Sequence, residues 1–226
     1  MDTNLPATQE QILKLAETMA AQMDGATLYE NSVQEESGLI CFMIRRGVEL
    51  SLVVLQGEAA DAAGFEGERV TVAGTACLVC PLTHENAEVV RSFFDYTNPV
   101  LVGKVNSYGF GDRLGNAGAA HLRAVGSYAF RPVLAQQSIR ELTRTRRTAN
   151  DVLDAATWAV LREGYRDGFG ADGDHLKTTD DIDVMVRAGY TMFTIDPSDH
   201  VRNEVTELDD AALQTARDDL PWDQLE

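Results

Sequence analysis

Gly170–Ala171–Asp172–Gly173–Asp174–His175–Leu176–Lys177 packs two carboxylates, an imidazole and an ammonium into one short segment. It lies between two helix-like runs, residues 151–166 and 179–188. In α/β proteins a charged, glycine-bearing segment in that position marks the carboxyl end of a strand, where such folds place their chemistry. Residues 190–195 read as the next strand and lead into Asp196–Pro197–Ser198–Asp199–His200. Two successive strands thus bring Asp–His pairs to one rim, and the fold they point to is a parallel α/β sheet.

Working outward, strand and helix alternate from residue 98 onward. Residues 100–105 predict a strand, 107–115 a glycine-rich loop, 121–125 part of a helix, and 131–134 a short strand. A helix over 148–166 leads into a strand ending near Asp172, and 209–218 predict a last helix. This spacing implies parallel strands joined by right-handed crossovers. Residues 98–226 hold about four such units, roughly half of a closed eight-stranded barrel of about 250 residues. The expected class is therefore α/β, resembling the first half of a (β/α)8 TIM barrel. Before it, residues 1–97 read differently. Helical spacing of Ile12, Leu15, Ala16, Met19 and Met23 behind a Thr8 cap is followed by short apolar runs at 27–33, 39–44, 48–55 and 69–79. Ser37–Gly38 and Arg46–Gly47 suit hairpin turns. An α+β module on an antiparallel sheet is expected there, closed by a helix over 83–94.

Composition narrows the function. The chain has 226 residues, and 44% hydrophobic content with mixed charge is that of a globular protein. A net charge of −17 argues against holding nucleic acid through its phosphates. No apolar run is long enough for a membrane span, and Met1–Asp2–Thr3–Asn4 lacks the basic start of a signal peptide, so a cytoplasmic protein is expected. Cys77 and Cys80 match C-x-x-C in letters, yet they lie in an apolar strand-like run with no second pair. Together with Cys41 they read as buried structural thiols rather than a zinc clip.

Asp174–His175 is the leading candidate for chemistry. Imidazole nitrogen and carboxylate oxygen suit a divalent cation, and a neighbouring carboxylate can carry protons for a substrate held there. The plainer alternative is a capping Asp beside a surface His. Asp112 and Arg113 sit in the loop with glycines 109, 111 and 115, which fits neither a dinucleotide fingerprint nor a phosphate loop. Arg113 could clamp a substrate carboxylate, or the Asp112–Arg113 pair could merely fix the loop. Lys177 and His200 are candidate substrate contacts, although Asp196–His200 reads equally well as a helix start. His84 and His121 near helix starts read as structural. The Arg140–Arg147 cluster reads as a solvated face or as partners for carboxylates.

Three strings together resemble the tagaturonate epimerase family: Gly109–Phe110–Gly111–Asp112–Arg113–Leu114–Gly115, Gly170–Lys177 with Thr178, and Phe193–Thr194–Ile195–Asp196 with Pro197–Ser198–Asp199–His200–Val201. The resemblance covers the second half of the chain well and residues 1–80 less well. It implies a metal-dependent sugar-acid epimerase of hexuronate catabolism that interconverts D-tagaturonate and D-fructuronate on a TIM-barrel-like core. By position, the family's proton acceptor falls on Asp174 and one ligand of its divalent cation (Zn, Mn, Ni or Fe) on His175. Its proton donor and remaining ligands fall beyond residue 226, so the chain is expected to be the N-terminal portion of such an enzyme and inactive alone.

Tagaturonate and fructuronate differ at a carbon β to the ketone, where enolisation cannot invert the centre. Retro-aldol cleavage with rotation and re-addition is the favoured route over transient oxidation. In it the cation would act on the carbonyl, Asp174 would take the hydroxyl proton, and Arg113 or Lys177 would hold the carboxylate. The expected partners are a small sugar acid and either a second copy of the chain or a missing C-terminal half. The alternatives are a metal-dependent aldolase or hydrolase on a related barrel, and a non-catalytic half-barrel that binds a sugar acid or a partner chain.

Overall fold

The computed structural model describes residues 8–55, 57, 61, 63–126 and 128–224. The start of the chain, on which the signal-peptide reading rests, lies outside them. Helix α1 (Gln9–Gln22) opens with the expected Thr8 cap, whose hydroxyl accepts from the Gln11 N–H while the Gln11 side chain returns to the Thr8 N–H. Five antiparallel strands follow: β1 (Ala26–Glu36), β2 (Leu39–Arg46), β3 (Glu49–Leu55), β4 (Glu68–Val72) and β5 (Thr75–Cys80), in the order β1-β2-β3-β5-β4. Alternation along β2 explains its unbroken apolar run. Phe42 and Ile44 face α1, whereas Leu39, Cys41 and Met43 face the opposite layer, so both sides are covered.

That opposite layer holds α2 (His84–Phe93) and part of a later helix. The parallel sheet is built from β6 (Ser107–Gly109), β7 (Arg131–Ser138), β8 (Gly170–Leu176) and β9 (Met192–Ile195), in sequential order. Helices α3 (Gly118–Val125), α4 (Ile139–Thr145), α5 (Ala149–Glu163) and α6 (Thr179–Ala188) pack along one of its faces, and α7 (Asp210–Asp218) follows β9. The fold is mixed α/β with a curled four-stranded parallel sheet. Helix α5 joins the two parts. Its Val152, Ala156 and Val160 belong to the core under the parallel sheet, while Trp158 and Leu161 belong to the core under the antiparallel one.

Several sequence expectations need correction. The run 69–79 is a hairpin, not one strand: Ala73 and Gly74 both take positive φ (53° and 76°), which turns β4 back onto β5. A non-glycine at such a φ carries no strong sequence signal. Residues 100–105 form no strand. Val100 N–H donates to the Phe169 carbonyl, and the Arg131 guanidinium donates to the carbonyls of Leu101 and Val102, so an irregular arm lies beside the sheet and pairing starts at Ser107. The strand expected to end near Asp172 continues to Leu176.

Cys41, Cys77 and Cys80 are free and buried. Cys77 faces the α1 side and Cys80 the other, as an i, i+3 pair on a strand must, so the two thiols do not form a metal clip. Burial pushes the Cys80 thiol up to about 12.

Candidate active site

A bulge in β8 makes the site. Gly173 pairs with Phe193 and Leu176 with Ile195, so Asp174 and His175 together stand opposite Thr194 alone. On the regular part of β8, Ala171 packs into the helix-side core and a Cβ on Gly173 would meet Met185 of α6. Asp172 and Asp174 therefore point to the face away from the helices. Strict alternation would send His175 back toward the helices. Instead His175 takes φ +55°, a left-handed conformation that costs a non-glycine residue of order 1–2 kcal/mol. Leu176 then returns to the core and the imidazole stays 60% exposed beside Asp174. Local backbone strain is thus what puts carboxylate and imidazole on one side.

His175 stands between two carboxylates, with Nε2 3.6 Å from Asp174 Oδ2 and Nδ1 3.6 Å from Asp196 Oδ2. Burial raises the Asp174 carboxyl above its usual value; His175 opposes this, and the Asp172 and Glu141 carboxylates add to it. Asp196 is held low, chiefly by the Ser198 N–H donating into it. Beneath Asp174, Asp172 is 1% exposed and fully engaged: Thr194 Oγ1 lies 3.0 and 2.9 Å from its two oxygens, and Gln136 Nε2 donates to one of them at 3.3 Å. Gly109 on β6 abuts the Gln136 amide so closely that a Cβ there would collide with it.

Two clefts flank His175. The larger, about 800 Å³, is lined by Asp112, Arg113, Gln136, Ser138, Arg140 and Glu141 together with Asp174 and His175. The smaller, about 520 Å³, is lined by Ser138, Arg140, Lys177, Asp181 and Asp196 with His175. Of the residues singled out in the sequence, Asp112, Arg113, Asp174 and His175 share the first cleft, and Lys177 meets His175 in the second. Asp112 turns both carboxylate oxygens inward, accepting the Gly115 and Ala117 N–H groups at 2.9 and 2.6 Å. Arg147 clamps the same loop by donating to the backbone carbonyls of Asp112 and Arg113, rather than to the carboxylates expected as partners of the arginine cluster. Arg113 is paired with Glu141 through two nitrogens, at 2.6 and 2.5 Å. Lys177 is paired with Asp199 at 2.7 Å, which raises its pKa above the ordinary lysine value. His200 is exposed in a 3-10 turn and lines neither cleft.

His84 and His121 each make a contact of the kind the structural reading expects. His84 bonds Asp154 at 2.9 Å across to α5, and His121 stacks on Phe110. Sequence reasoning missed Gln136, Ser138, Arg140 and Glu141 as cleft residues. The length of β7 and the helix that follows it hold them there, and the only available signal was the polar run that continues residues 131–134. Among the described residues, no group of three or more His, Cys, Asp or Glu side chains could hold a metal ion. The described donors therefore do not by themselves fit a complete divalent-cation site.

The sequence model of the tagaturonate epimerase family matches residues 29–225. The chain belongs to the tagaturonate epimerase family. The tagaturonate/fructuronate epimerase of Thermotoga maritima is 45% identical over 179 residues, covering 79% of this chain and 37% of the relative. A glycerol-complexed crystal structure of fructuronate-tagaturonate epimerase from Cohnella laeviribosi superposes with a TM-score of 0.81 at 38% identity, over 93% of this chain and 42% of that one. Its native form gives 0.80 at 36% identity, over 94% and 42%. The chain thus spans less than half the length of these relatives. The cleft just described lies on the parallel-sheet part of the fold. Among the described residues, no helix is long and apolar enough to cross a membrane.

Proposed function

We propose that this chain carries the proton acceptor and one cation ligand of an epimerase that interconverts D-tagaturonate and D-fructuronate. The observation that carries the reading is the bulge at Asp174–His175, which turns both side chains into one cleft in a member of this family. In this reading the parallel sheet is half of a TIM-like barrel, and the polypeptide works in the cytoplasm. Divalent-metal dependence is part of the same proposal, with His175 as one ligand and the others supplied from outside the described residues.

The residues present support a definite division of labour. A carboxylate whose pKa is raised is a stronger base, which suits Asp174 to take the proton of the hydroxyl on the inverting carbon. Loss of that proton lets the bond between the α and β carbons break, with the electron pair passing into an enediolate and the β carbon becoming an aldehyde. Rotation of the aldehyde, re-addition and return of the proton give the epimer. Asp172, Thr194 and Gln136 hold the floor of the cleft rigid beneath this step.

The reading is tested with a hybrid in which this chain replaces the corresponding segment of the Thermotoga maritima epimerase. Proton NMR of a D-tagaturonate solution is expected to show D-fructuronate accumulating to equilibrium when a divalent cation is supplied. A folded hybrid that leaves tagaturonate unchanged, while the relative converts it, would refute the assignment.

A further inference from the structure

The clefts around His175 are acidic. Asp112, Asp174 and Glu141 line the larger, and Asp181 and Asp196 the smaller. An anionic substrate entering this field needs a cation not already neutralised by a counter-ion. Arg113, Arg140 and Lys177 are the permanent cations lining these clefts. Glu141 occupies Arg113, and Asp199 occupies Lys177 with Asp196 4.0 Å away. Arg140 lines both clefts, is exposed, and makes no ion pair among the described residues. It stands two residues past Ser138, the register partner of Asp174, and lines the same cleft as that proposed proton acceptor.

We infer that Arg140, rather than Arg113 or Lys177, receives the carboxylate of the sugar acid and so makes the site select a keto-acid over the corresponding neutral ketose. The inference rests on the keto-acid reading above and deepens it. A guanidinium offers a carboxylate two parallel N–H donors, which fix orientation as well as charge. Orientation matters in a cleavage and re-addition route, because the aldehyde fragment carries the carboxylate. Held at that end, it can present its other face to the enediolate without leaving the cleft.

The test is an NMR-detected titration of the 226-residue chain with D-tagaturonate and, separately, with D-tagatose, which has a hydroxymethyl group in place of the carboxylate. Arg140→Gln is expected to weaken tagaturonate binding about tenfold to a hundredfold, the range for a charged hydrogen-bonded contact, with tagatose affinity unchanged. Arg140→Lys should restore part of the loss. Arg144→Gln, which removes the same charge from the same helix outside both clefts, should bind as the wild type does. Equal tagaturonate affinity in the wild type and Arg140→Gln would overturn the assignment while leaving the sugar-acid reading standing. Equal losses for both sugars would also overturn it, since they indicate a damaged fold. A wild-type chain that binds neither sugar would overturn the keto-acid reading and the Arg140 assignment with it.

Discussion

Asp174→Asn in the hybrid enzyme is expected to lower kcat by roughly a thousandfold, within the range usual for a general base. The amide keeps the size of the carboxylate and its place opposite Ser138 in the β7–β8 register, so the cleft should hold its shape. What it loses is the ability to accept the hydroxyl proton. KM should change little, because in this account the substrate is held through its own carboxylate at Arg140 and not through Asp174. Bound divalent cation should also persist, since His175 is untouched. Steady-state kinetics combined with metal analysis separates these effects. A kcat within tenfold of the parent would remove Asp174 from the acceptor role.

The second large effect concerns stability. Asp154 on α5 is 9% exposed and accepts from Arg91 of α2 at 2.7 Å and from His84 at 2.9 Å. Arg91, 12% exposed, also donates to Thr157. The cluster sits where α5 meets the helix layer of the antiparallel sheet, and it ties the two halves of the fold together. Burial raises the Asp154 carboxyl, and the hydrogen bonds from Arg91 and His84 oppose that rise. Asp154→Ala leaves a buried guanidinium without its partner, a change that typically costs about 3–5 kcal/mol. For a chain of this length that corresponds to a fall in Tm of roughly 6–20 °C. Calorimetry on the variant checks this, with Asp154→Asn expected to lose less because it still accepts one hydrogen bond. A Tm within about 2 °C of the parent would mean that the cluster contributes little net stability.

How much of this was legible in the sequence depended on the kind of signal. Helix α6, the Thr8 cap and the hairpin turns at Ser37–Gly38 and Arg46–Gly47 came from local patterns, and local physics realises them. The arm at residues 100–105 is as apolar as a strand but forms none, and its Leu101 and Val102 carbonyls are taken instead by Arg131, some thirty residues away in sequence. No local pattern carries that information. The Asp174–His175 pair stood out by composition, whereas the bulge that reconciles their adjacency with a shared face depends on pairing with β9. Arg113 and Lys177 looked like free cations because Glu141 and Asp199 are brought to them only by the fold. Arg140, masked within a run of arginines, was set apart by its two clefts and its lack of an ion pair.

Paramagnetic line broadening by Mn²⁺ added to the hybrid enzyme, in which the relative supplies the remaining ligands, reports directly whether Asp174 and His175 address one space. The amide signals of Asp174, His175 and Asp196 should broaden first and together, and His175→Ala should abolish that pattern while leaving the rest of the spectrum in place. Broadening centred elsewhere, or unchanged in His175→Ala, would contradict a cleft built on the β8 bulge.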